Sequence, residues 1–164
     1  SAILLFGISM VYGTTGTLDF ATLSLQLNGS TLQLLSFVFL VAAFAFKLSI
    51  VPFHLWTADV YEGAPVPVTA YLSVISKGAS AFVFMTFLYR IFQSYLELWY
   101  SILVILALIT LLIGNLFALR QQNIKRFLAF SSVAQVGFIL VGMTGNNVGA
   151  FASILYFILI YIFY

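Results

Sequence analysis

Residues 46–56 read FKLSIVPFHLW and place a lysine and a proline inside an apolar segment. An ammonium group at the centre of a membrane helix costs at least roughly 2.5–3.5 kcal/mol on insertion scales. The ring of Pro52 clashes with the carbonyl of Leu48 and removes a backbone hydrogen bond, so it predicts a kink close to Lys47. Exposed backbone is tolerated at membrane depth only where it faces protein or water. The stretch therefore predicts a hydrated cavity near the middle of a membrane.

The composition of the whole chain requires a lipid environment. Of its 164 residues, 63% are hydrophobic and 6% are charged, and the mean hydropathy is +1.17. A soluble domain carries roughly 25% charged residues, so a water-soluble fold is excluded. The net charge of +2 gives no indication of nucleic-acid binding. With no Cys and a single His, the sequence has no pattern for a metal site.

The apolar segments predict an all-α, polytopic bundle of about six transmembrane helices, since a span needs about 20 mostly apolar residues. The predicted spans are 1–12, 31–58 with the kink at Pro52, 67–92, 101–119, 124–143 and 148–164. Both ends of the chain lie in apolar runs without a polar flank or a cap. We therefore interpret the chain as a single-domain fragment, an internal piece of a longer protein.

Cationic residues in the short connections indicate the orientation in the membrane. Arg120, Lys125 and Arg126 cluster between the fourth and fifth spans, on the same side as the connection that contains Asp59 and Glu62. The positive-inside rule places both connections on the cytoplasmic or matrix side. The two connections should therefore lie at the same membrane surface.

Lys77 is the second lysine within a predicted span. If its helix begins at Pro67, Lys77 lies roughly 15 Å below that surface, about half of a 30 Å core, and Lys47 lies at a similar depth on the preceding helix. A desolvated lysine readily changes its protonation state, so the pair predicts a proton or ion path. Two structural alternatives stay open. Lys47 could extend its amine to the interface if its helix ended near Ile50, and Lys77 could be a structural lysine capped by backbone carbonyls or by a helix C-terminus.

Weaker polar signals accompany the lysines. His54 follows the predicted kink and is a candidate proton relay, although a neutral histidine bonded to backbone is the commoner case. Ser131, Ser132 and Gln135 form a polar stripe on the fifth helix, for which hydrogen bonding between helices is the default and a hydrated relay the alternative. All four acidic residues lie in connections, so any carboxylate partner of Lys47 must come from outside this chain.

A long series of motifs runs through the chain in order. It begins with residues 46–56, continues with DVYEGAPVPVTA at residues 59–70, and includes residues 76–77, 114–116, 123–126 and 131–137. Together these motifs resemble the antiporter-like, proton-pumping subunits of respiratory complex I, and subunit 2 in particular. Sister subunits 4 and 5 and the multisubunit cation/proton antiporters usually carry Leu-Pro-x-Ala after the Trp, whereas the Asp-Val-Tyr-Glu-Gly of this chain favours subunit 2.

The resemblance implies a role for both lysines. Lys47 matches the family's central lysine on a broken helix, and Lys77 matches the next lysine along its hydrophilic axis. In the family the central lysine pairs with a glutamate on the preceding helix, and a further ionisable residue lies on a later helix; both fall outside this chain. The chain resembles the sixth to eleventh helices of a larger, fourteen-helix antiporter-like fold that contains a proline-broken helix. Gln135 replaces the histidine of many relatives, which argues against protonation at that position.

The function that the resemblance implies is proton translocation as a subunit of NADH:ubiquinone reductase. Lys47 would load a proton, pass it toward Lys77 and be reset by coupling to quinone reduction elsewhere in the complex. The sequence has no flavin or iron–sulfur motif, so NADH, FMN, iron–sulfur clusters and ubiquinone are expected in other subunits and no redox chemistry is expected in this chain. Two alternatives stay open: a structural scaffold without pumping, and a subunit of a multisubunit cation/proton antiporter.

The expected partners are lipids and the other membrane-arm subunits, including the chain that supplies the missing N-terminal helices and the glutamate; no nucleic acid is expected. The 18 Phe residues favour a mitochondrial genome and hence the mitochondrial inner membrane, with a bacterial plasma membrane or a thylakoid as alternatives. Two explanations of a truncated chain stay open, a subunit encoded in separate pieces and a longer chain that is only partly represented.

Overall fold

A computed structural model describes residues 2–145 and 148–163, which form helices joined by short turns. The helices are α1 (Ala2–Thr15), α2 (Phe20–Gln26), α3 (Thr31–Leu48), α4 (Leu55–Gly63), α5 (Val66–Ala70), α6 (Lys77–Thr86), α7 (Leu96–Leu119), α8 (Ile124–Met143) and α9 (Val148–Phe163). A π-helical segment, Tyr71–Ser76, joins α5 to α6, a second one, Phe87–Ile91, extends α6, and a 3-10 turn, Gln93–Tyr95, precedes α7. The predicted all-α class is confirmed.

Several of these helices have the length and apolar character of membrane spans. Within the described ranges, four stretches are long and apolar enough to cross a membrane: Thr31–Leu48, Val66–Ile91, Gln93–Leu119 and Ile124–Met143. The α1–α2 pair adds a fifth if it is counted as one bent span, and α9 is a shorter apolar helix. Large apolar side chains such as Leu112 and Leu116 are exposed on the outer faces. Such a surface is stable against lipid or other membrane helices and not against water.

The N-terminal part of the chain is a bent pair of helices where the sequence predicted one short span and a polar connection. α1 extends beyond the predicted 1–12 to Thr15, and α2 follows after a 67° bend. Gly16 makes the turn at φ 70°, which glycine adopts without steric cost. The Asp19 carboxylate accepts a hydrogen bond from the Thr22 amide at 3.1 Å and caps α2. The polar residues therefore turn the chain and cap a second helix, which corrects the prediction.

The helix predicted over 31–58 is broken before Pro52 and is not kinked at it. α3 ends at Leu48, because Ser49 takes a left-handed conformation with φ 64° and its amide donates to carbonyls in the last turn of α3. A left-handed residue of this kind ends a helix. Pro52, joined to Val51 by a cis peptide bond, lies in the turn that follows, so no helical hydrogen bond is lost there. The structure corrects the kink predicted at Pro52 to a break at Ser49, between α3 and α4, and the break itself agrees with the broken helix that the family resemblance implies.

Side chains of two neighbouring helices pair with the polar groups of this break. Thr57 of α4 donates to the Ser49 hydroxyl at 2.6 Å, and the Val51 amide donates to the Thr110 hydroxyl of α7 at 3.2 Å. Ser49, Thr57 and Thr110 are buried. Polar backbone at membrane depth must find its partners within the protein, and here α4 and α7 supply them.

α7 and α8 pack closely because both carry glycine where they cross. A Cβ atom on Gly114 would lie 2.8 Å from the backbone nitrogen of Ala134, and one on Gly137 would lie 2.7 Å from the side chain of Leu111. Small residues at such crossings let membrane helices approach each other. The crossing fixes the position of α8, which carries Ser132, within the bundle.

Candidate functional site

Lys77 lies at the start of α6 and is buried, with 4% of its surface exposed. Its ammonium nitrogen donates a hydrogen bond to the Ser132 hydroxyl of α8 at 2.8 Å. That hydroxyl in turn donates to the Ala129 carbonyl at 2.8 Å, which leaves its oxygen lone pairs free to accept from the lysine. Among the residues that the structure describes, neither a backbone carbonyl nor a carboxylate bonds to this amine. Capping by carbonyls, the structural alternative, is therefore not observed.

The π-helical segment Tyr71–Ser76 ends directly before Lys77. One extra residue in a turn rotates the following part of a helix by roughly 100°, and segments of this kind occur frequently at functional sites. The segment therefore sets the direction in which Lys77 leaves its span. Sequence reasoning missed it, because no glycine or proline marks it.

Tyr61 of α4 packs its ring against the same lysine. The Lys77 ammonium nitrogen lies 5.6 Å from the centre of the Tyr61 ring, within the range of a cation–π contact. Tyr61 is buried, and its hydroxyl faces Ser132 but lies outside hydrogen-bond geometry. Tyr61 lies within the motif at residues 59–70, but no role was predicted for it, because nothing in one sequence pairs a tyrosine on one helix with a lysine on another.

A small cavity and a larger groove that share lining residues lie beside the buried lysine. A cavity of about 10 Å³ adjoins Lys77 and is bordered by Gln135 and by Tyr161 of α9; it has room for at most one water molecule. A groove of about 490 Å³ shares Gln135 and Tyr161 with this cavity and extends to Lys125. Ser131 lines only the groove. The predicted polar stripe is therefore divided, with Gln135 at the boundary between the cavity and the groove.

Lys47 lies in the last turn of α3 and is exposed within the described part of the chain. It lines a cavity of about 720 Å³ together with Ala79 and Ser80 of α6. These two residues lie about 20 Å along their span from Val66, at 1.5 Å per residue. α3 does end next to Lys47, as the interfacial alternative required, but the neighbours on α6 place Lys47 beside the middle of the adjacent span.

The two lysines lie at similar heights and open to different cavities. Lys47 faces the large cavity at the level of Ser80, one helical turn from Lys77, whereas Lys77 faces Ser132 of α8. Lys47 makes no hydrogen bond or ion pair with any residue in the ranges 2–145 and 148–163. The structure therefore does not bring the two predicted site residues into contact.

His54 is buried between aromatic side chains. Its ring lies 5.9 Å from the ring of Phe117 and 6.3 Å from that of Phe130, measured between centroids. The Pro52 carbonyl is a polar neighbour of the ring, but neither ring nitrogen reaches hydrogen-bond geometry with a partner in the described residues. The structure therefore does not connect this candidate relay to either lysine.

A charged cluster joins α4 to α8 at one end of the bundle. Arg126 pairs with Asp59 at 2.9 Å and with Glu62 at 2.7 Å, and the Asn123 side-chain amide donates to Glu62 at 2.7 Å. Lys125 donates to two backbone carbonyls at the C-terminal end of α4, at 3.2 and 3.1 Å. The two connections that were predicted to share one membrane surface are thus in direct contact.

The arrangement defines a class of protein. Apolar helices of spanning length, a helix that ends next to one lysine and a second lysine buried within another span together define a polytopic membrane protein. No group of three His, Cys, Asp or Glu in the described residues could hold a metal ion.

Residues 1–164 match the family described as "NADH:quinone oxidoreductase/Mrp antiporter, TM", and the chain belongs to this family. It is 52% identical over 162 residues to NADH-quinone oxidoreductase subunit N of Phocaeicola vulgatus, which covers 99% of this chain and 34% of that protein. The predicted resemblance to the antiporter-like subunits of respiratory complex I is thereby confirmed.

Solved structures of related complexes share the fold. A chain of respiratory complex I from Thermus thermophilus superposes with a TM-score of 0.72 and 30% identity, over 96% of this chain and 34% of that one. A chain of the Mrp complex from Dietzia sp. DQ12-45-1b superposes with a TM-score of 0.89 and 27% identity, over 98% of this chain and 30% of that one. The chain thus spans about a third of the length of the proteins that it matches.

Proposed function

We propose that this chain is part of a membrane subunit that translocates protons in an NADH:quinone oxidoreductase. The proposal depends on one observation: Lys77 is buried within a membrane span, with a hydroxyl as its hydrogen-bond partner and no described carboxylate to neutralise it. Burial disfavours the ammonium form and the hydroxyl stabilises it, so both protonation states are accessible. A group with two accessible protonation states can load and release a proton.

Lys47 and Lys77 hold the proton in turn in this proposal. Lys47 borders a cavity of about 720 Å³, in which water can deliver or remove a proton. Lys77 lies next to a cavity of about 10 Å³, where at most one water molecule fits. We therefore assign proton loading to Lys47 and retention to Lys77, with the reset coupled to quinone reduction in other subunits.

His54 is a relay in this proposal only if the turn between α3 and α4 rearranges. Its ring nitrogens are buried without a hydrogen-bond partner in the described residues, so each could accept or donate once a partner approached. Pro52 lies in that turn, two residues before His54.

A cation/proton antiporter subunit is the second candidate function, and the superposition on a chain of the Mrp complex, with a TM-score of 0.89, favours it. Sequence identity favours the oxidoreductase, at 52% against 27%. The two functions differ in the process that drives proton transport, which is quinone reduction in the oxidoreductase and exchange for a cation in the antiporter. Transport that requires Na⁺ or K⁺ and proceeds without quinone reduction would support the antiporter.

The cofactors, the partners and the membrane location of this chain follow from the oxidoreductase proposal. NADH, FMN, iron–sulfur clusters and ubiquinone would be bound by other subunits, and the partners of this chain would be lipids and membrane-arm subunits. Among these partners, the segment or chain that carries the glutamate would cover the exposed side of Lys47. The bacterial relative favours a bacterial plasma membrane, with the mitochondrial inner membrane and the thylakoid as the other locations.

The test is the number of protons pumped per electron by the assembled complex in proteoliposomes. Lys77→Met and Lys47→Met, made in the full-length subunit, are expected to lower this ratio, because methionine keeps the length of the side chain and cannot carry a proton. Arg120→Met is the matched control, since Arg120 is exposed and its side chain makes no hydrogen bond with a described residue. An unchanged ratio in both lysine variants would support the structural scaffold instead.

A further inference from the structure

The Ser132 hydroxyl is oriented by its own helix. It donates to the Ala129 carbonyl, three residues earlier in α8, at 2.8 Å, and it receives the Lys77 ammonium group at 2.8 Å. A hydroxyl has one hydrogen to donate and two lone pairs to accept with. Because the hydrogen is used within α8, the side that faces the lysine is an acceptor.

We propose that Ser132 is a positioning residue that holds the Lys77 amine in its protonated form, with the ring of Tyr61 as the second stabilising contact. This inference rests on the proposed proton-carrying function of Lys77. Ser132 itself never takes up the proton. An ammonium group donates a charge-assisted hydrogen bond, which is roughly twice as strong as the neutral one that remains after the proton has left. The hydroxyl therefore favours the charged form over the neutral form.

Few other ionisable groups face this amine. Tyr61 from α4 lies under it, and Tyr161 from α9 borders the adjoining cavity. α8 contributes Ser132 and the uncharged Gln135, and no Asp, Glu or Arg of the described residues lines the cavity. Lys47 of α3 borders a different cavity. That cavity contacts α6 at Ser80, one helical turn after Lys77. The hydroxyl and the ring are therefore the contacts within the described chain that distinguish the two protonation states.

The role of Ser132 predicts a shift in the pH dependence of pumping. If the protonated form of Lys77 is needed to pass a proton on, the ratio of protons to electrons falls on the alkaline side, where the lysine stays neutral. Removal of a group that stabilises the charged form moves this fall to lower pH. For the loss of one charge-assisted hydrogen bond, we expect a tenfold change in proton affinity and thus a shift of about one pH unit.

The experiment measures protons per electron against pH in proteoliposomes that contain the complete complex with the full-length subunit. Ser132→Ala is expected to shift the alkaline fall down by about one pH unit. Ser132→Thr keeps the hydroxyl and is expected to retain the original profile. Ser131→Ala is the matched control, because Ser131 is the neighbouring residue on α8 and lines only the groove. A purely structural role of Ser132 would change the amount of complex and not the position of the profile.

A second pair of variants tests the contribution of the tyrosine ring. Tyr61→Phe keeps the ring under the ammonium group and is expected to leave the profile in place, because the Tyr61 hydroxyl lies outside hydrogen-bond geometry. Tyr61→Leu removes the ring and is expected to shift the profile down by roughly half a pH unit.

The outcomes separate this inference from the proposed function. If Lys77→Met lowers the ratio while the Ser132→Ala profile coincides with that of the unsubstituted complex, the role of Ser132 is overturned and the function of Lys77 stands. If Lys77→Met leaves the ratio unchanged at every pH, the proposed function itself is overturned. Alanine is smaller than serine and fits the same space. Ser132→Ala therefore tests the positioning role of Ser132 even if the Ser132→Thr complex does not assemble.

Discussion

The Lys77 ammonium group lies 5.6 Å from the centre of the Tyr61 ring, which connects the helix after the break to the buried lysine. Tyr61 belongs to α4, the short helix after the break, and the other partner of Lys77 is on α8. The end of α4 is in turn tied to the start of α8 by the pair between Arg126 and Glu62 at 2.7 Å. A movement of α4 would therefore alter the surroundings of Lys77.

The ion pairs of Arg126 with Asp59 and Glu62 join α8 to α4, so their loss should increase hydrogen exchange at the end of α4. Arg126→Ala removes both contacts to Asp59 and Glu62, so the last turn of α4 should open more often. Exposed ion pairs are weak, so we expect amide exchange in this turn to rise by up to roughly fivefold, as measured by mass spectrometry on the assembled complex. Arg120→Ala removes a cation without these contacts and should leave the exchange unchanged. Equal exchange in both variants would contradict the tie between the two helices.

The break between α3 and α4 depends on two properties of Ser49. Ser49→Ala removes the acceptor of the buried Thr57 hydroxyl and is expected to destabilise the region by about 1–3 kcal/mol. Ser49→Gly loses the same bond but relieves the left-handed backbone at φ 64°, which should recover about 1 kcal/mol.

The stabilities of the two Ser49 variants can be ranked by the temperature at which the solubilised complex loses this subunit. The glycine variant should dissociate at the higher temperature. Ser9→Ala is the control, because Ser9 is bonded only to its own helix at an exposed position. An alanine variant that equals or exceeds the glycine variant would show that the conformation of residue 49 does not limit stability.

Close packing of α7 on α8 predicts that Gly114 tolerates no side chain. Gly114→Ala places a Cβ atom 2.8 Å from the Ala134 backbone nitrogen, and backbone cannot move aside as a flexible side chain would. We expect a loss of about 1–3 kcal/mol, measured as thermal dissociation of the subunit. Gly13→Ala is the matched control, since nothing lies within 4 Å of its Cβ position. Equal effects of the two substitutions would contradict the close crossing.

The sequence was sufficient for the membrane class, the family and the position of Lys77 within a span. Composition excludes a soluble fold, and residues 46–56 and 59–70 carry the family resemblance that the comparisons confirm. The position of Lys77 within a span follows from the proline that starts its helix. These features depend on local composition and spacing, which a single sequence contains.

The geometry around the lysines could not be predicted from the same patterns. Hydropathy is alike for a kinked and a broken helix, so the left-handed conformation of Ser49 was missed. The π-helical segment before Lys77 has no turn residue, and the contacts of Lys77 with Ser132 and Tyr61 join three helices that are distant in sequence. Such contacts depend on helix rotation and packing, which periodicity does not fix.

Lys77→Arg separates the proposed proton-carrying role of Lys77 from a role as a fixed positive charge. Arginine keeps a cation and hydrogen-bond donors near Ser132, but it does not release its proton in proteins. We expect the assembled Lys77→Arg complex to pump as few protons per electron as Lys77→Met, at normal rates of quinone reduction. A Lys77→Arg complex that pumps as many protons per electron as the unsubstituted complex would show that Lys77 does not carry the proton.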